Sequence, residues 1–156
     1  MKYLLSVRFL AEQDYLVKKT NIHLREYSLG GILLAWSISF CVEFAAEFET
    51  LDRAVKKELM GQLRFLEHQG PEVGRPKVDT LKGSRHRNMK ELRFRVGRGA
   101  WRIAFAFDPA RCAVMLVAGD KAGLNERLFY QRLLTRADDR FDNYLLEREN
   151  NDQDTR

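Results

Sequence analysis

Residues 88–121 read NMKELRFRVGRGAWRIAFAFDPARCAVMLVAGDK, and the fold is decided there. Leu92, Phe94 and Val96 alternate with Glu91, Arg93 and Arg95. Trp101, Ile103, Phe105 and Phe107 alternate with Arg102, Ala104 and Ala106. A period of two marks strands with one buried and one open face. Residues 112–118 are apolar throughout, as in a central strand covered on both faces. Turns fall at Gly97-Arg98-Gly99 and at Asp108-Pro109-Ala110. The apolar sets share a face if Phe94 lies opposite Ile103 and Val96 opposite Trp101. That register sets Arg95 across from Arg102, with Arg93 farther along the same face. Opposed like charges are unfavourable, so the arrangement points to an anionic ligand.

Upstream, WSISFCV alternates Trp36, Ile38, Phe40 and Val42, which predicts a first strand. The period then lengthens. Phe44, Phe48 and Leu51 predict a short helix, and Leu51, Val55, Leu59, Leu63 and Leu66 a longer one that Gly70-Pro71 stops. Residues 70–87 are rich in glycine, proline and basic side chains and read as a loop. Val78 and Leu81 anchor it in a short turn of helix. Downstream, Tyr130, Leu133, Leu134, Ala137, Phe141, Tyr144 and Leu145 give a final helix its apolar face, with Asp138 and Asp139 outward. The expected architecture is α+β, in the order β-α-α-β-β-β-α. Its mostly antiparallel sheet has helices on one face, and the other face is open and lined by Arg93, Arg95 and Arg102. Residues 1–35 read as an N-terminal extension, 36–146 as the domain and 147–156 as a polar, frayed tail.

The chain has 156 residues, 45% of them hydrophobic, enough for one domain with its own core. The net charge is +5, and it is unevenly placed. Residues 71–103 hold ten Lys/Arg against three acids, a local +7, while the remainder is slightly acidic. Such a basic stretch suits a polyanion. Cys41 and Cys112 sit in apolar strands and read as buried thiols, not as a disulfide or nucleophile. No cysteine–histidine spacing suggests zinc, no cofactor is implied, and no apolar run approaches a membrane span. Nothing reads as a signal peptide, so the expected location is cytoplasmic.

One combination of motifs goes further. Gly70-Pro71, Gly74-Arg75-Pro76, Val78-Asp79, Leu81-Lys82-Gly83-Ser84-Arg85 and Asn88-Met89-Lys90-Glu91-Leu92-Arg93 precede Trp101-Arg102-Ile103 and Phe105-Ala106-Phe107-Asp108-Pro109. Gly119-Asp120-Lys121, Tyr130 and Ala137-Asp138 follow. Together they resemble the phage-derived HigB-type toxins of the RelE/ParE superfamily, over about residues 36–145. The resemblance implies a small RelE-like fold and the toxin of a type II toxin–antitoxin system. Such toxins are ribosome-dependent mRNA endoribonucleases that work without metal on mRNA in the ribosomal A site. A cognate antitoxin, often with a helix-turn-helix domain, neutralises them in a hetero-oligomeric complex.

The resemblance also implies a site. Arg93, Arg102, Lys121 and Tyr130 match catalytic positions. Lys82, Arg85, His86, Arg87, Lys90 and Arg95 are candidates to hold RNA, and equally read as a solvated basic loop and strand. Cleavage through the 2′-hydroxyl needs a base, stabilisation of the phosphorane charge and protonation of the 5′-oxygen. Arginine supplies the charge. For the base, Tyr130, His86 and Lys90 stand open, and Glu91 is a weaker candidate. Met89 and Glu91 replace the paired lysines of RelE. Some superfamily members act on gyrase by protein binding, so a non-catalytic or decayed toxin is the alternative.

Overall fold

The computed structural model describes residues 36–154. The elements are β1 (Ser37–Phe40), α1 (Val42–Thr50), α2 (Arg53–Gln69), a 3-10 turn (Gly70–Glu72), β2 (Val78–Thr80), β3 (Met89–Val96), β4 (Gly99–Phe107), β5 (Cys112–Asp120) and α3 (Glu126–Asp154). The five strands form one sheet in the order β1-β5-β4-β3-β2. β1 runs parallel to β5, and every other pair is antiparallel. The α+β class and a mostly antiparallel sheet are as the patterning predicts.

The β3–β4 register differs by two residues from the expected one. Leu92 lies opposite Ile103, Phe94 opposite Trp101 and Arg93 opposite Arg102. The reason is the turn. Val96 pairs with Gly99, leaving two loop residues, and Gly97 takes a φ of +55°. A tight turn with positive φ at its first central residue matches the twist of the flanking strands and suits glycine there. A slip of two keeps every side chain on its expected face. The consequence falls on the arginines, because Arg93 takes the place across from Arg102 that had been expected for Arg95.

The helices do not share one face. Phe40 of β1 packs against Phe44 and Phe48 of α1, with ring centres 4.7 and 5.3 Å apart. At the end of α2, a side chain on Gly70 would strike the Trp36 indole, which packs edge-on against Phe107 of β4. Val55, Leu59, Leu63 and Leu66 of α2 are all buried in the core. Each such side chain contributes about 1.5–3 kcal/mol by leaving water. On the other face, Gly119 of β5 lies opposite Arg102. A Cβ there would meet the Phe129 ring of α3 at 2.9 Å. Thus α3 covers part of the face expected to be open, and it crosses the sheet at the arginines.

Two further expectations change. Val78 belongs to an edge strand, not a turn of helix, and pairs with Leu92. α3 continues to Asp154 through the segment expected to fray. Its anchor is Asp108, which is 4% exposed. One carboxylate oxygen accepts the amides of Ala110 and Cys112 in the β4–β5 turn, and the other accepts the Tyr144 hydroxyl at 2.8 Å and Arg148. A buried carboxylate with this many donors is fully satisfied. Cys41 and Cys112 are both buried free thiols, as expected. Burial pushes Cys41 up to about 12 and raises Cys112 as well.

Candidate nucleic-acid interface

Strand pairing places Arg93 directly across from Arg102, both half-buried on the face that α3 crosses. Two guanidinium groups at such spacing repel. Glu91, two residues before Arg93 on the same face, lies beneath both and is only 3% exposed. Its Oε1 accepts Arg93 Nε at 2.8 Å and also takes Arg93 Nη2. Its Oε2 faces Arg102 Nε at 3.9 Å and has no hydrogen-bond partner among the described residues. Arg93 Nη2 also reaches Asp79 Oδ2 of β2 at 3.0 Å. Burial works to lower the Arg93 pKa, but the Glu91 and Asp79 carboxylates outweigh it and hold the group above its ordinary range.

Arg102 Nη1 donates to the Trp101 carbonyl at 2.9 Å, and Nε donates to the Tyr130 hydroxyl at 3.3 Å. Tyr130 is carried by the first turns of α3, which the bare backbone of Gly119 admits close to the sheet. Lys121 follows β5, and its ammonium lies 5.6 Å from the Tyr130 ring centre and 2.7 Å from Glu126. Lys121 holds Glu126 below the usual carboxylate range. The four residues expected at the centre, Arg93, Arg102, Lys121 and Tyr130, therefore form one connected cluster. Its three cations are met by the carboxylates of Glu91, Asp79 and Glu126, and a phenol stands beside them.

The expected RNA-holding set divides. Arg95 is exposed, next along the strand from Arg93 on the same face. Lys82 and Arg87 are exposed in the loop. Lys90 projects to the other face and donates to Thr80 at 2.9 Å. Arg85 and His86 are turned onto α3. Arg85 reaches Asp139 and Asp142 at 3.1 and 2.6 Å, and the His86 ring bonds Asp142 at 2.7 Å. Twelve residues separate Tyr130 from Asp142, about 18 Å along a helix. His86 is thus a tether of the loop and stands away from the arginine cluster.

Three acids take places that the sequence reading did not give them. Glu91 and Asp79 hold Arg93, and Asp79 is itself held below its ordinary range by Arg75, 2.7 Å away. Asp138, expected outward, is 4% exposed and accepts the Ser84 hydroxyl and the Arg85 amide. The available signal was helical spacing, since Asp138 falls between Leu134 and Phe141 on the apolar stripe. Among the described residues no group of three His, Cys, Asp or Glu could hold a metal ion. None of their helices is long and apolar enough to cross a membrane.

The sequence matches the model of the family described as phage derived protein Gp49-like over residues 46–142, from the second half of α1 to past the middle of α3. The chain belongs to this Gp49-like family. Two relatives come from Mycobacterium tuberculosis. One carries the toxin name HigB2 and is 48% identical over 96 residues, which are 61% of this chain and 47% of that protein. The chain thus spans about half the length of that relative. The other carries the toxin name HigB3 and is 44% identical over 98 residues, 63% of this chain and 83% of that protein. Among solved structures, a mutant of the E. coli toxin RelE in the free state aligns with a TM-score of 0.48 at 15% identity. That alignment covers 65% of this chain and 95% of the other. Membership in the Gp49-like family and the HigB names of its relatives bear out the HigB-type resemblance. The aligned family segment contains the whole arginine cluster.

Proposed function

We propose that this Gp49-like protein is the toxin of a toxin–antitoxin pair and cleaves mRNA in the ribosomal A site. The observation that carries the reading is the opposed pair Arg93 and Arg102, with Tyr130 bonded to one of them. In the reaction the 2′-oxygen loses its proton and bonds to phosphorus. The P–O5′ bond then breaks, and the departing 5′-oxygen gains a proton. Products are a 2′,3′-cyclic phosphate and a 5′-hydroxyl. Arg93 and Arg102 meet the charge gathering on the phosphorane, where fixed cations in a dry site are worth most. Lys121 stands beside Tyr130, paired with Glu126, as a third cation that a phosphate would compete for. Among the candidate bases, Tyr130 and Glu91 lie in the cluster, and Tyr130 is favoured because Glu91 is buried and bound to Arg93, whereas His86 is bound to Asp142 and Lys90 to Thr80.

The names of the relatives and the family membership support the toxin reading, and an antitoxin is the implied partner. The exposed Arg95, next along the strand from Arg93, suits a contact to RNA backbone, and Lys82 and Arg87 are exposed in the loop.

Brief induction in cells, beside Arg102→Ala, tests the proposal. Growth arrest with new transcript ends inside translated frames, both absent in the mutant, is the expected result. Arrest with intact transcripts would replace this reading with a toxin that acts by binding protein.

A further inference from the structure

We infer that Glu91 is a positioning residue for the arginine pair, setting the two guanidinium groups for a shared phosphate without touching that phosphate itself. The inference rests on the nuclease reading for its kinetic consequence, but its geometric content stands on the protein alone. Three observations carry it. First, Arg93 and Arg102 are direct cross-strand partners, an arrangement that repels unless an anion lies between. Second, Glu91 is 3% exposed, so its charge is kept from water and acts on what is packed against it. Third, its two oxygens are used unequally. Oε1 fixes Arg93 through both Nε and Nη2, while Oε2 is buried, accepts no hydrogen bond among the described residues and pairs with Arg102 Nε only at 3.9 Å.

A buried acceptor without a donor is expensive, and Oε2 already makes an ion pair with Arg102 Nε at 3.9 Å, which places that guanidinium within reach of a closer bond. Arg102 Nε now donates to Tyr130 at 3.3 Å. When Nε turns to Glu91 Oε2, the Tyr130 hydroxyl is released to the substrate, and the outer edge of Arg102 still faces the phosphate. Glu91 thereby spaces the two arginines and offers Arg102 its second resting place. The residue also opposes RNA electrostatically, because it sets a negative charge under the phosphate. Its removal therefore changes binding and rate in opposite directions, which a merely structural carboxylate would not do.

The test compares wild type, Glu91→Gln and Glu91→Asp. Single-turnover cleavage is measured on ribosomes carrying a labelled mRNA in the A site. Affinity is measured for the same mRNA with a 2′-deoxy substitution at the cut, and arginine side-chain NMR reads hydrogen exchange at Arg93 Nε. Glu91→Gln is expected to bind as tightly as wild type or several-fold tighter, to cleave about 10–100-fold more slowly and to exchange Arg93 Hε faster. Glu91→Asp should recover part of the rate. Cleavage within threefold of wild type, or binding and rate that fall together, would overturn the inference. If wild type itself cuts nothing, the nuclease reading falls. The NMR then decides separately, and unchanged Arg93 exchange in a folded Glu91→Gln protein would overturn the positioning role. If Glu91→Gln fails to fold, Glu91→Asp carries the same comparison, and wild-type rate and exchange in it would overturn the inference.

Discussion

Arg93 and Arg102 face each other across β3 and β4, and the buried carboxylate of Glu91 lies beneath the pair. The relationship is fixed by the two-residue turn at Gly97-Arg98, which sets the register of the whole hairpin. One residue more or less in that turn would move one arginine away from the other. Site geometry and hairpin geometry are therefore one property of this sequence.

Tyr130 supplies the next expectation. Tyr130→Phe keeps the ring, which packs edge-on against Phe129, and removes only the hydroxyl that accepts from Arg102. A positioned general base contributes about 100- to 10,000-fold, so cleavage should fall by about 100-fold or more. Chemical denaturation should show stability within about 1 kcal/mol of wild type, as befits a part-exposed side chain. A full-rate Tyr130→Phe protein would remove the phenol from the mechanism.

Gly119 should be intolerant of any side chain. An alanine Cβ would come within 2.9 Å of the Phe129 ring, and α3 would have to lift. Overpacking of this kind costs about 1–3 kcal/mol. Gly119→Ala should lower the denaturation midpoint and, by displacing Tyr130, reduce cleavage more than the stability loss explains. Unchanged stability would mean that α3 sits farther from the sheet.

Acid should loosen the 80s loop from α3. Asp142 is held below its ordinary pKa, chiefly by Arg85 and further by His86. A depressed carboxylate contributes stability that is complete above its unfolded pKa of about 3.9 and is lost as pH falls through the lower folded value. Hydrogen exchange across residues 82–88 should therefore quicken below about pH 4 in wild type. In Asp142→Asn the fast exchange should already be present at neutral pH. A loop equally protected in both proteins would show that the Arg85 and His86 contacts hold nothing.

The thiols offer a check on the core. Burial raises both Cys41 and Cys112, the first to about 12, so the reactive thiolate is scarce in the folded state. A thiol reagent at pH 8 should label neither in native protein and both in urea. Rapid native labelling would contradict the packing of β1 on β5.

The legible part of this sequence was the part governed by periodicity. Four of the five strands and all three helices followed from alternation and helical stripes, and matched motifs pointed to the cluster residues. The register was missed by two residues because both registers bury the same faces, and only the turn conformation of Gly97 separates them. Val78-Asp79-Thr80 is too short to show a period, so its strand went unseen. The acids were harder still. Asp79 and Asp138 read as ordinary polar residues and Glu91 as a weaker candidate base, yet Arg75 and Arg93 meet Asp79, Arg93 and Arg102 meet Glu91, and the Ser84 hydroxyl and Arg85 amide meet Asp138. The tail at residues 147–154 lacked apolar anchors, yet Arg148 ties it to Asp108. A long-range pair such as Arg148–Asp108 leaves no local pattern, whereas the burial of Asp138 was legible in its helical spacing.

The most direct measurement is cleavage on purified ribosomes with a defined mRNA, comparing wild type with Arg102→Ala. The account predicts a single A-site cut ending in a 2′,3′-cyclic phosphate, and a rate at least about 100-fold lower in the folded mutant. Equal cutting by both proteins, or no cutting by wild type, would contradict it.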